Sequence, residues 1–222
     1  HQEDQRRQAP GGKLFILDPA TRRFEIVGIP VPHDYIQTIT LDEQRGLVYG
    51  FTYPVFNFFV YDLNTRQVRR IDYMGSIPHI IDLAPDGSYW ATWNNRHHYL
   101  FCYDPDRDRI DWHYKTLPGA EDSTGLMYPG AGPVDSMLCG PDGMLYIGEC
   151  NGHLDRLDPA TGKVENLGKP LPDETRLPAL ALGPDNRLWG IAGFLGRCHL
   201  FFYDIETETF DVGGHIADEN GE

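Results

Sequence analysis

"LDRLDPATGKVENLG" (residues 154–168) reads as a strand, an Asp-led turn and a second strand. The same pattern recurs in "LFILDPATRRFEIVG" (14–28), "FFVYDLNTRQVRRID" (58–72), "LFCYDPDRDRIDWHY" (100–114) and "LFFYDIETETFDVGG" (200–214). The shared residue is Asp18, Asp62, Asp104, Asp158 or Asp204, placed where its carboxylate can accept backbone N–H groups of the turn. The turn explains the recurrence, since five equivalent catalytic acids make no chemical sense.

A second unit precedes four of these hairpins: "ITLDEQRGLVYGF" (39–51), "DLAPDGSYWATW" (82–93), "LCGPDGMLYIGE" (138–149) and "LALGPDNRLWGIAG" (180–193). It too reads as strand, turn, strand, so each full repeat holds four antiparallel strands. Successive turn aspartates lie 44, 42, 54 and 46 residues apart. A four-stranded meander at that period predicts an all-β fold, a β-propeller. No long 3.6-residue periodicity supports a helical solenoid.

With strands named A to D from inner to outer, residues 13–214 supply the C and D strands of a first blade. Full blades follow at 35–72, 79–114, 134–168 and 178–212. Residues 1–12 read as a flexible N-terminal segment and 215–222 as a tail. The count of four and a half blades predicts part of a larger ring of about seven, or a ring completed by a second chain or a missing segment.

The net charge of −14 argues against nucleic-acid and anionic-membrane partners. It leaves room for an anionic ligand, because a local cluster of arginines can reverse the field inside one cleft. No apolar run approaches the length of a membrane-spanning helix. The four cysteines form no CxxC pair, so free buried thiols are the simplest reading. A Cys150–Cys198 disulfide is the alternative, both lying in neighbouring B–C loops.

Loops of a meander alternate between two faces. The A–B and C–D turns ("PDG", "PDN", "DPATG") are short and acidic and read as scaffold. The B–C loops and D-to-A connections receive His33, Asp34, Tyr35, His79, Asn94, Asn95, Arg96, His97, His98, Glu149, Asn151, His153, Arg197, His199 and His215. Seven of the nine histidines fall there, beside the long connection 115–135. Loops gathered at one end of a rigid scaffold are where binding and catalysis concentrate. His153 and His199 share one column at the start of strand C, where a polar residue also serves the strand itself. His79 opens an A strand and is expected to point to the central channel. At most one of His97 and His98 faces the pocket, because they alternate along a strand.

Imidazoles, tyrosines (Tyr35, Tyr53, Tyr99, Tyr128) and arginines (Arg96, Arg197, Arg176) suit acid–base work on an anionic substrate. The repeats "GLVYGFTYPVFNFFVYDLNTRQV" and "GMLYIGECNGHLDRLDPATGKV" resemble those of bacterial seven-bladed propellers, among them polysaccharide lyases of the ulvan-lyase and rhamnose–glucuronate-lyase type. Those enzymes place one histidine at the start of an inner strand and another in the following B–C loop. His79 and His98, 19 residues apart, stand in the corresponding positions. The resemblance implies that they are the base and acid, with Tyr146 or Tyr128 and Arg156 or Arg197 as further matches. Arg96, Asn95, His97, His153 and His199 would then contact substrate.

The implied reaction is β-elimination on a uronic-acid polysaccharide, with arginine neutralising the carboxylate. It needs no cofactor, and it would place the protein in the periplasm or outside the cell. A non-catalytic propeller that binds glycan or protein is the second reading. The third is a metal-dependent lactonase or antibiotic-lyase propeller, in which Glu149 and Asn151 would help hold a divalent cation. No Walker loop, HExxH, GxSxG or dinucleotide fingerprint is present.

Overall fold

The computed structural model describes residues 8–94, 99–118, 134–193 and 198–216. Two compact units divide the chain, His1–Ile77 and Pro78–Glu222. Among the described residues the ordered elements are antiparallel sheets, the blades of a β-propeller.

In the first unit, β1 (Leu14–Asp18) and β2 (Arg23–Gly28) pair as the predicted half blade. A full blade follows: β3 (Tyr35–Asp42), β4 (Leu47–Tyr53), β5 (Asn57–Asp62) and β6 (Gln67–Tyr73), paired in chain order. Middle strands β4 and β5 are buried almost throughout, whereas the outer strand β6 is mostly exposed. Val48, Phe59 and Tyr61 of this blade form one core with Leu14, Val27 and Val31. The half blade leaves Phe15, Phe24 and Ile26 exposed.

In the N-terminal segment, expected to be flexible, the described residues 9–12 make hydrogen bonds. Gly12 N donates to Asp34 O at 2.7 Å and His33 N to Pro10 O at 3.1 Å. His33 Nδ1 lies 2.7 Å from Ala9 O. The chain before β1 is therefore laced to the loop before β3.

In the second unit, β7 (Tyr89–Trp93), β8 (Tyr99–Asp104) and β9 (Arg109–Thr116) make a sheet of three strands, where four were expected. The missing inner strand is the segment from His79, which keeps a single bridge, Leu83 to Tyr89. Its polar groups go to the next blade instead. Ile80 N donates to Asp135 O (3.3 Å), and Asp82 Oδ2 accepts from Cys139 N (3.0 Å). Two complete blades follow: β10 (Val134–Cys139), β11 (Leu145–Glu149), β12 (Leu154–Asp158) and β13 (Lys163–Gly168), then β14 (Ala179–Leu182), β15 (Leu188–Ala192), β16 (His199–Asp204) and β17 (Thr209–His215). Tyr146, Leu154, Leu177, Leu188, Phe201 and Tyr203 form the core between them.

The five turn aspartates do what their recurrence implied. Asp18 accepts from Ala20 N and Thr21 Oγ1, Asp158 from Ala160 N and Thr161 Oγ1, and Asp204 from Glu206 N and Thr207 N. Asp62 and Asp104 bind Asn64 N, Thr65 N, Asp106 N and Arg107 N in the same way. Four residues after each aspartate the backbone turns left-handed: Arg22 (φ 56), Arg66 (φ 58), Asp108 (φ 49), Gly162 (φ 68) and Glu208 (φ 55). Only one is glycine, so the carboxylate's hydrogen bonds hold four side-chain-bearing residues in a disfavoured region.

Two middle-strand glycines set the packing. Gly50 pairs with Phe59 and Gly190 with Phe201. A Cβ on Gly190 would stand 2.3 Å from Phe201 Cζ, and one on Gly50 2.4 Å from Phe59 Cζ. Each phenylalanine lies across the space that a side chain would fill. Gly190→Val is expected to lower stability by about 1–3 kcal/mol through overpacking. Urea denaturation checks this, and a variant within about 0.5 kcal/mol of wild type would contradict it.

Candidate functional site

Three segments of the second unit converge on Asp135, which is 1% exposed. His79 Nδ1 lies 3.1 Å from Asp135 Oδ1. Arg176 Nε donates to Asp135 Oδ2 at 2.8 Å, and Arg176 Nη2 donates to Oδ1. A carboxylate can only accept, so the imidazole carries a proton on Nδ1, and in the neutral ring Nε2 is the nitrogen with the lone pair. Bidentate contact with a guanidinium satisfies a buried carboxylate and fixes its plane. The histidine ring is thereby oriented by a group that is itself locked.

The backbone accounts for the convergence. Arg176 sits at φ 73, a left-handed conformation for a residue with a side chain. It is held by Leu177 N donating to Glu149 O (3.0 Å) and Gly193 N donating to Arg176 O (3.0 Å). His79 and Asp135 each stand seven residues before a turn aspartate, Asp86 and Asp142. They occupy the same column in adjacent blades. That alignment is the signal in the sequence that singles out Asp135, at the end of the long connection 115–135.

Beside this triad lies a second polar group. Glu149 and Asp155 are both fully buried, and their carboxyl groups interact. Asn151 Nδ2 donates to Glu149 Oε2 (3.0 Å), and Asn166 Nδ2 to Asp155 Oδ1 (2.7 Å). His153 Nδ1 is 3.2 Å from Asn166 Oδ1, and His153 N donates to Asn151 Oδ1 (3.0 Å). Burial pushes the Asp155 carboxyl above the usual carboxylate range, against the hydrogen bonds from Glu149 and Asn166 and the nearby His153. The proton is best assigned to the Asp155–Glu149 pair as a unit.

A carboxyl whose pKa is raised on folding binds its proton more tightly in the native state. Its stabilising contribution is complete below the ordinary carboxylate pKa and is lost as pH rises toward the folded value. Asp155→Asn mimics the protonated acid, keeping an acceptor for Asn166 and gaining a donor for Glu149. The variant is expected to lose less stability than wild type between about pH 4.5 and about pH 7.5. Denaturation midpoints at those two pH values check it, and an unchanged slope would contradict it.

Several expected site residues are placed elsewhere. Tyr146 is fully buried, and its hydroxyl donates to Asp142 Oδ2 at 2.9 Å, in the turn at the opposite end of the β10–β11 hairpin from Asp135. Burial and Asp142 push this phenol upward, so it is a core hydrogen-bond donor and not an acid near His79. Arg156 is committed to Glu165 (3.1 Å) and Glu208 (2.7 Å), hydrogen bonds that raise its pKa further. It clamps two blades together and is not poised for a substrate carboxylate. His199 stacks edge-on against His215 at 5.2 Å and faces Glu174 at 3.9 Å. Arg176 joins the site but is spoken for by Asp135.

Asn151 turns its amide N–H toward Glu149, the geometry of a hydrogen-bond partner and not of two metal ligands side by side. Among the described residues no group of three His, Cys, Asp or Glu is arranged to hold a metal ion. All four cysteines are free thiols, so the Cys150–Cys198 disulfide is not formed. Burial, together with Asp135 and Glu149, pushes the Cys150 thiol up to about 12, which keeps it protonated and inert. Asn95, Arg96, His97, His98, Tyr128 and Arg197 lie outside the described residues. No helix among the described residues is long and apolar enough to cross a membrane.

No protein-family model and no curated protein matches the chain. Solved structures do resemble it. Hydrazine synthase of Kuenenia stuttgartiensis aligns over 93% of this chain and 62% of its own, with a TM-score of 0.65 and 14% identity. A chain of the mitotic checkpoint complex aligns over 92% and 59%, with a TM-score of 0.62 and 11% identity. A protein of unknown function from Bacteroides thetaiotaomicron aligns over 92% and 54%, with a TM-score of 0.56 and 12% identity. The chain thus spans about three fifths of the length of the first two. At such identities the likeness is one of fold alone, and it agrees with the propeller architecture.

Proposed function

We propose that the second unit is a carbohydrate-active propeller in which His79 exchanges a proton with a uronic-acid residue of a polysaccharide. The observation that carries this reading is the His79–Asp135–Arg176 relay, with a buried carboxylate orienting an imidazole whose Nε2 is the basic nitrogen. In β-elimination, Nε2 takes the C5 proton and the C–H electrons form the C4–C5 double bond. The C4–O bond breaks, and the departing sugar oxygen takes a proton from a second acid. The resemblance to propeller lyases names His98 and Tyr128 as candidates for that acid.

One observation favours the non-catalytic reading. Uronate elimination requires the carboxylate to be neutralised, and both arginine candidates in the described residues, Arg156 and Arg176, are already held by protein carboxylates. The reaction therefore depends on Arg96 or Arg197. A propeller that binds anionic glycan without turnover needs neither. Incubation with ulvan, alginate and polygalacturonate separates the two: an ultraviolet-absorbing unsaturated product supports the lyase, whereas saturable binding with no product supports the binding module.

A further inference from the structure

We infer that a groove between the outer strand of one blade and the β12–β13 turn of the next is a separate binding site for an anionic polysaccharide. The groove encloses about 330 Å³ and is lined by Trp112, His113, Tyr114, Lys115, Thr161 and Lys163, among others. It is built from a turn that the sequence reading took for scaffold.

The local charge runs against that of the molecule. The chain carries −14 overall and has only four lysines, of which two line this groove. The neighbouring acids are matched by other cations: Asp111 by Arg109 at 2.8 Å, and Glu165 by Arg156 at 3.1 Å. Neither Lys115 nor Lys163 makes an ion pair among the described residues. Lys163 also acts electrostatically on Asp158 of its own turn, whose carboxylate is bound up by Ala160 N and Thr161 Oγ1. Two ammonium groups, one from each element that forms the cleft, attract an anion that bridges them.

The remaining lining offers hydrogen-bonding groups. Trp112 and Tyr114 turn their rings to the other face of β9, where they pack on Trp93 at 4.9 and 5.3 Å and stiffen the strand that carries His113 and Lys115. His113 is fixed by Trp90 at 4.8 Å and lies so close to Gly162 that a Cβ there would stand 2.8 Å from its Cε1. The Thr161 hydroxyl donates to Asp158 and accepts from Lys163 N at 3.3 Å, which leaves its oxygen one lone pair for a sugar hydroxyl.

The choice of a uronate chain as ligand rests on the function proposed above, but the groove is distinct from His79. Affinity electrophoresis in gels carrying polygalacturonate or alginate tests it on the full chain, with neutral dextran as the uncharged comparison. Wild-type protein is expected to be retarded by the uronate polymers and not by dextran. The K115A/K163A variant is expected to lose at least tenfold in affinity, and K115E/K163E all retardation, with cleavage of a short oligouronide unchanged. Circular dichroism of both variants confirms that the surface changes leave the fold intact. Undiminished retardation of K115E/K163E overturns the site. Retardation that depends on the lysines, in a protein that forms no unsaturated product, leaves the groove standing and removes only the lyase reading. Equal retardation by dextran overturns the anionic assignment.

Discussion

Arg176→Met is expected to cost the folded state about 3–5 kcal/mol. Asp135 is 1% exposed, and Arg176 supplies two of its charge-assisted hydrogen bonds. Removing the guanidinium leaves a carboxylate in a place that water does not reach, with only His79 as a partner. That residual charge must be neutralised by taking up a proton or exposed by local unfolding, and both are costly. Urea denaturation near neutral pH checks the loss. Asp135→Leu combined with Arg176→Met removes both charges and is expected to recover most of the stability, because a buried pair replaced by apolar residues of similar volume is often close to neutral. A single variant within about 1 kcal/mol of wild type would show that water reaches Asp135 in solution.

His79→Ala is expected to lower uronate-cleaving activity by about two to four orders of magnitude with the fold intact. Asp135→Asn tests the same chemistry from behind. Asp135 Oδ1 accepts from both His79 and Arg176, and Oδ2 accepts from Arg176. An asparagine has a single acceptor oxygen, so its amide N–H2 opposes Arg176 in either orientation, and the negative charge that would stabilise the imidazolium formed on proton transfer is gone. The variant is therefore expected to lose activity mainly in kcat, with the loss no larger than that of His79→Ala. Retention of activity in both variants, measured by the absorbance of unsaturated product, would remove His79 from the chemistry.

The two variants also separate stability from function. His79 is about a quarter exposed and meets the rim of the buried charge, whereas Arg176 anchors that charge by two contacts. Loss of activity without loss of stability in His79→Ala, set against loss of both in Arg176→Met, is the pattern that the geometry requires.

Much of the scaffold was legible from local chemistry. Alternating residues and Asp-led turns act within a few positions, so they gave the strand pairs from β1–β2 to β16–β17. The same local grammar put His79 at an inner-strand position. It failed where polar groups bonded outside their own blade: the segment from His79 was expected to ladder onto β7 along its length, but Ile80 and Asp82 bond to β10 and only Leu83 and Ala84 keep contact with their own blade. Tyr146 and Arg156 failed for a related reason. A tyrosine or an arginine in a strand looks available until packing shows which carboxylate it meets, Asp142 for one and Glu165 with Glu208 for the other.

The sequence by itself determined the repeat, the turns and the clustering of histidines on one set of loops, because each depends on residues within a few positions of one another. The tertiary structure alone decided which ions face each other. His79 meets Asp135 across 56 residues and Arg176 meets it across 41. Such partners are chosen by how blades stack, and a buried carboxylate accepts whichever cations the stacking delivers.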